Sequence, residues 1–128
     1  MRLEHFAYSV IDPVAAAKWW CAHLEFTVVR QAAAPTFMHF LKDSSGSVLI
    51  EIYNNPKCKP LDHFQQNPLL MHLAFTVADV PAERKRLLAA GATEADALMT
   101  TPAGDMMCTL RDPWGVPFQL IKRAQPMI

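Results

Sequence analysis

The chain has 128 residues, with 12 Lys and Arg set against 12 Asp and Glu, and 52% of its residues are hydrophobic. That length suits one compact domain, or two small halves sharing a core, and the composition is that of a folded chain rather than a disordered one. A net charge of zero argues against a nucleic-acid or anionic-membrane partner, since both are met by a basic face.

In chain order, the first predicted element is a strand around Leu3–Asp12, whose sequence LEHFAYSVID is echoed by LMHLAFTVAD at Leu70–Asp79. Leu, His, Ala, Val and Asp recur in type, and aromatic and hydroxyl positions recur with them, at an offset of 67 residues from His5 to His72. An internal repeat is the first thing to establish in a new sequence, because it dictates the architecture. A helix is predicted over Pro13–Leu24 and its counterpart over Val80–Ala90. Asp12 and Asp79 are suited to the N-cap, Pro13 and Pro81 sit where a missing N–H costs nothing, and Gly91 suits the C-terminal stop. Strands are predicted after the first helix at Phe26–Gln31, Thr36–Leu41 and Val48–Tyr53, with Asp43-Ser44-Ser45-Gly46 as the last turn. After the second they fall at Glu94–Met99, Met106–Arg111 and Val116–Lys122, with Asp112-Pro113-Trp114-Gly115 as the turn. Asn54 to Pro68, with three prolines and little periodicity, is the linker. The fold class is α+β: two βαβββ modules, at 3–53 and 69–123, joined by a linker at 54–68.

Side chains alternate between the faces of a strand. Phe6, Tyr8 and Val10, like Leu73, Phe75 and Val77, are bulky and call for a helix packed over them. His5, Ala7 and Ser9, like His72, Ala74 and Thr76, make a small, polar face suited to a concave surface. The last strands add a second matched pair, Glu51 in VLIEIY and Gln119 in VPFQLI. A carboxylate inside an apolar strand needs a partner or shifts its pKa. Lys42, Arg30 or Arg111 would serve as an ion-pair partner, and a metal ion is the other remedy. Two His, one Glu and one Gln form a mixed N/O set that suits Zn, Ni, Co, Mn or Fe with open water positions. A lone strand histidine is commonly structural; the metal reading rests on His5, Glu51, His72 and Gln119 falling at equivalent positions of a repeat.

These segments, together with the AAGA stretch at Ala89–Ala92 and LRDPWGVPFQL, resemble the vicinal oxygen chelate superfamily. That superfamily includes glyoxalase I, bleomycin-resistance and fosfomycin-resistance proteins, methylmalonyl-CoA epimerase and extradiol dioxygenases. The resemblance runs from Leu3 to about Arg123. It implies a glyoxalase-like cup of mixed β-sheet with helices on the outer face, and a divalent metal held by His5, Glu51, His72 and Gln119. Family members of this size are commonly homodimers, so a homodimer is expected. Two positions depart from the pattern: Gln119 stands where the last-strand glutamate is usual, and Ser9 where glutathione-dependent glyoxalases carry an arginine.

The expected function is that of a metal-dependent lyase or isomerase acting on a small substrate whose oxygens chelate the metal. Glu51 is the candidate base, since an amide such as Gln119 is not basic. His39 is a candidate acid/base or substrate donor if it points into the cup; otherwise it is a surface or edge histidine. The alternative is a metal-free, bleomycin-resistance-type binding protein that holds a flat ligand between aromatic walls drawn from Trp19, Trp20, Phe37, Phe40, Tyr53, Phe64 and Trp114. An extradiol-type dioxygenase ranks below both, because Gln119 breaks the two-His, one-carboxylate set. Arg111 and Lys122 are strand cations expected to be solvated. Cys108 is expected to be buried filler, lacking an adjacent base. Three cysteines without a CxxC spacing do not make a disulfide scaffold or zinc ribbon. No apolar run approaches the roughly 18 residues that span a bilayer, and MRLEHFAYSV carries no signal-peptide stretch, so the expected location is cytoplasmic.

Overall fold

A computed structural model of the chain describes residues 3–127. The chain divides into two compact units, with the boundary between Leu61 and Asp62. Each unit is a βαβββ module. In the first, β1 (His5–Ser9) leads into α1 (Pro13–His23), followed by β2 (Thr27–Gln31), β3 (His39–Lys42) and β4 (Leu49–Tyr53). In the second, a short 3-10 turn at His63–Gln65 precedes β5 (Leu73–Thr76), α2 (Val80–Ala89), β6 (Thr93–Thr100), β7 (Met106–Arg111) and β8 (Pro117–Lys122).

The sheets share one topology. The strand orders are β1-β4-β3-β2 and β5-β8-β7-β6, so the first strand of each module pairs in parallel with the last, and the remaining pairs are antiparallel. The parallel pair is what forces a helical crossover between first and second strands. Both helices start in the same way: Asp12 accepts from the Ala15 N–H at 3.0 Å and Asp79 from the Ala82 N–H at 2.9 Å, each satisfying an otherwise orphaned donor. The last turns are also alike, with Gly46 and Gly115 donating to the carbonyls of Asp43 and Asp112 at 3.0 and 2.9 Å.

Each helix covers one face of its own sheet. On α1 the buried residues Pro13, Ala16, Ala17 and Trp20 fall at helical spacing and form one stripe. Trp20, with no exposed surface, meets the rings of Tyr8 and Phe26, while Leu41, Ile50 and Ile52 fill the sheet side. In the second unit Val80 and Leu87 of α2 are buried, as are Cys108, Leu110, Phe118 and Leu120 of the sheet, and Phe75 sets its ring against Phe118. The bulky face of each first strand is therefore the helix side, as the alternation predicts.

Most element limits shift by a single residue from those read in the sequence. The largest change is in the strand predicted at Thr36–Leu41, which begins at His39. Phe37 takes a left-handed backbone (φ 46°) and donates to the Ala33 carbonyl at 3.1 Å, so the chain there is a turn. The linker also holds more structure than its prolines suggest: Asp62 caps the 3-10 turn by accepting from the Phe64 N–H at 3.1 Å.

Candidate metal-ligating residues in each unit

In the first unit the face opposite α1 carries His5, Ala7 and Ser9 of β1. In register with them stand Leu49, Glu51 and Tyr53 of β4, and Phe40 of β3 lies opposite Glu51. Glu51 is thus placed beside Ala7, whose small side chain leaves the carboxylate room. The ion pair that Glu51 makes is with His5, Nε2 to Oε2 at 3.6 Å, rather than with Lys42 or Arg30 of the same unit. That distance exceeds a hydrogen bond. It is close to the separation of two ligands sharing one ion, since metal–N and metal–O bonds near 2.1 Å put neighbouring donors about 3.0–3.5 Å apart. Phe40 packs edge-on against the imidazole, ring centroids 5.2 Å apart, and limits its rotation.

The other imidazole nitrogen of His5, Nδ1, is hydrogen-bonded to the Glu4 carboxylate. This bond raises the His5 pKa above its ordinary value of 6.5; attraction to Glu4 and Glu51 acts in the same sense, and partial burial opposes it. A carboxylate accepts and does not donate, so Nδ1 carries a proton; release of the proton on Nε2, which an incoming cation would require, leaves a lone pair there beside Glu51.

The second unit repeats the arrangement. Gln119 of β8 lies in register with Ala74 of β5, as Glu51 does with Ala7, and Thr109 of β7 flanks it on the other side. His72 stands one residue before β5, in the alternation that puts Ala74 on the Gln119 face. Its Nδ1 is 2.8 Å from the carbonyl oxygen of Pro68. A carbonyl only accepts, so here too the proton sits on Nδ1 and Nε2 keeps its lone pair. In both histidines an oxygen holds Nδ1, as is almost always found for metal-ligating histidines, and the donor chemistry of each half-site fits a divalent ion. Among the described residues, no group of three or more His, Cys, Asp or Glu side chains stands in a position to hold a metal ion.

His39 is not part of this surface. It lies in register with Ile52 and is, with Leu41, one of the two buried positions of β3, while its neighbour Phe40 lies opposite Glu51. It is only 7% exposed and its Nδ1 is held by the Phe37 carbonyl at 2.8 Å. Of the two alternatives for His39, neither matches its place: register with Ile52 turns it to the buried side of the sheet, away from the face of His5 and Glu51. Trp20 likewise belongs to the core, whereas Phe40 and Tyr53 share the open face with Glu51.

Two features were missed in the sequence. Arg111 is not a solvated strand cation: it donates to the carbonyls of His63 (2.8 Å), Gly115 (3.0 Å) and Gln66 (2.6 Å). Glu4, adjacent to His5, was legible as a charge but not as its hydrogen-bond partner. Burial pushes the thiols of Cys108 and Cys21 above their ordinary value, so neither is an activated nucleophile.

Residues 5–121 match the model of the glyoxalase-like domain family. Among solved structures, the chain is similar to the protein SMU.1112c, with 27% identity, a TM-score of 0.76, and coverage of 95% of this chain and 98% of that one. It is similar in fold to a glyoxalase I mutant from Zea mays, at 22% identity and a TM-score of 0.76; the match covers 97% of this chain but 46% of that one, about half its length. It is also similar in fold to TnmS3, an antibiotic binding protein from Streptomyces sp. CB03234, at 17% identity and a TM-score of 0.73, with 97% of each chain covered. No curated protein is significantly similar to the chain in sequence. With a family match across nearly its whole length and the two-module mixed-sheet architecture, the chain belongs to the glyoxalase-like domain family.

Proposed function

We propose that this protein is a metal-dependent lyase or isomerase of the glyoxalase type, acting on a small substrate whose oxygens chelate the ion. The ligands in this reading are His5 and Glu51 from the first unit and His72 and Gln119 from the second, contributed by one chain or by two. The observation that carries it is the matched state of the two histidines, each with Nδ1–H held by an oxygen and Nε2 left as a donor atom. When bound, a divalent ion supplies Lewis-acid polarisation of a carbonyl or alkoxide.

The chain's own residues supply the rest. Glu51 is the one anionic member of the set, and its carboxylate is the group able to take a proton from a substrate carbon and return it to the neighbouring one. Gln119 is neutral and non-basic, so it orients and does not shuttle. One carboxylate against a divalent charge leaves a net charge of about +1, which favours an anionic substrate such as a carboxylate or enediolate. Phe40 and Tyr53 flank Glu51 on the open face and displace water from it. His39 takes no part. Three free cysteines support a reducing compartment, the cytoplasm. Among the described residues, no helix is long and apolar enough to cross a membrane. Zero net charge leaves little repulsion between copies, which supports a homodimer.

A second reading draws on the same two aromatic side chains: a binding protein that holds a flat ligand over this face, as the likeness to an antibiotic binding protein suggests. One experiment separates the two. Protein loaded in turn with Zn, Ni, Co, Mn and Fe is offered hydroxyacyl thiol adducts, CoA esters and catechols. The expected outcome is metal-dependent isomerisation or cleavage of one of the first two classes, with kcat lowered about 10²–10⁴-fold by Glu51→Gln. Turnover of catechols alone, or tight ligand binding without turnover and without metal, would overturn it.

A further inference from the structure

The segment from Asp62 to His72 is held together almost wholly by short-range bonds. Gln65 and Gln66 donate to the carbonyls of Asp62 and His63 at 3.1 and 3.2 Å, and Leu70 donates to that of Asn67 at 2.9 Å. The Asn67 side chain accepts from the Leu69 N–H at 2.9 Å, and the Pro68 carbonyl accepts from His72 at 2.8 Å. Such a chain of local turns fixes its own shape but not its place on the sheet. Contacts from β7 and the turn before β8 help to fix its place. The Arg111 guanidinium spans the His63 and Gln66 carbonyls while also holding the Gly115 carbonyl at the start of β8. Gly115 lets the Phe64 backbone approach so closely that an added Cβ would lie 2.7 Å from its nitrogen.

From this we infer that Arg111 is a positioning residue for His72. Its fork anchors the turn at His63–Gln66, and the rigid run through Asn67 and Pro68 then delivers the one carbonyl that sets the tautomer and direction of the His72 ring. A planar guanidinium suits the task, because three carbonyls at fixed angles need several donors in one plane. The inference rests on the proposed role of His72 as a ligand, yet the coupling between Arg111 and His72 exists whether or not a metal binds.

The test reads the imidazole directly. Long-range 1H–15N spectra of metal-free protein, with the His72 signals assigned by their loss in His72→Ala, report which ring nitrogen carries the proton. Wild type is expected to show Nδ1–H, Arg111→Met a mixture shifted toward Nε2–H, and Arg111→Lys an intermediate state. The Lys variant keeps a cation in reach of some of the carbonyls and serves where the Met variant fails to fold. Zinc affinity is expected to fall about 10–100-fold in Arg111→Met, as for loss of a group that orients a ligand. A folded Arg111→Met or Arg111→Lys protein with an unchanged His72 tautomer would overturn the positioning role. Should the tautomer shift while wild type binds no zinc, the positioning role stands and the metal reading fails.

Discussion

At the scale of single residues, the first unit's histidine shows how much one neighbour decides. Glu4 fixes a proton of His5 on Nδ1 and thereby leaves Nε2 as the nitrogen open to a cation, a consequence that rests on two adjacent residues. Adjacency in sequence gave no hint of it, because residues next to each other on a strand ordinarily point to opposite faces. The same rule places His39: in register with the buried Ile52, it takes the face opposite to that of Phe40 and Glu51. Arg111 was misread for another reason, since a cation satisfied by main-chain carbonyls leaves no charged partner to find in the sequence. Asp105 gives a residue-scale prediction. It accepts from the Ala124 N–H at 2.9 Å and from Arg123 at 2.6 Å, and these bonds, in that order, hold its carboxyl below the ordinary value of 3.8. A depressed folded-state pKa contributes stability that is fully present above the unfolded value and is lost as pH falls through the folded one. Asp105→Asn is therefore expected to lower Tm at pH 7, with the gap to wild type closing below about pH 3.8. Melting curves in parallel down to pH 2 would contradict this.

At the scale of elements, the repeat made most of the fold legible. Two Asp-capped helices, two parallel first-to-last strand pairs and two Gly-closed turns all follow from matching positions in the halves. The repeat also matched Glu51 with Gln119, whereas their places beside Ala7 and Ala74 come from the strand register. What it did not carry is the detail at the linker, which has no counterpart in the other half. The two turn glycines make this difference measurable. Gly46 (φ 71°) has open space around the position of a Cβ, whereas Gly115 (φ 86°) has the Phe64 backbone and ring within 2.8 Å. Gly46→Ala is expected to cost about 1 kcal/mol, for the backbone conformation alone. Gly115→Ala is expected to cost about 2–4 kcal/mol, because strain and overlap with Phe64 add. Urea unfolding of the two variants checks it, and equal losses would show that the Phe64 approach carries no energetic weight.

At the scale of the whole molecule, neutrality argues against partners that need a basic face and names none. The chemistry in this account is concentrated in four side chains that the repeat set apart: two imidazoles, one carboxylate and one amide. Family membership gives the architecture its context, and the activity rests on whether those side chains hold an ion. Elemental analysis of protein purified without chelator or affinity tag tests that claim most directly. Wild-type protein is expected to hold about one divalent metal ion per chain, and the His5→Ala and His72→Ala variants almost none. A wild-type content near zero, unchanged by either substitution, would contradict it.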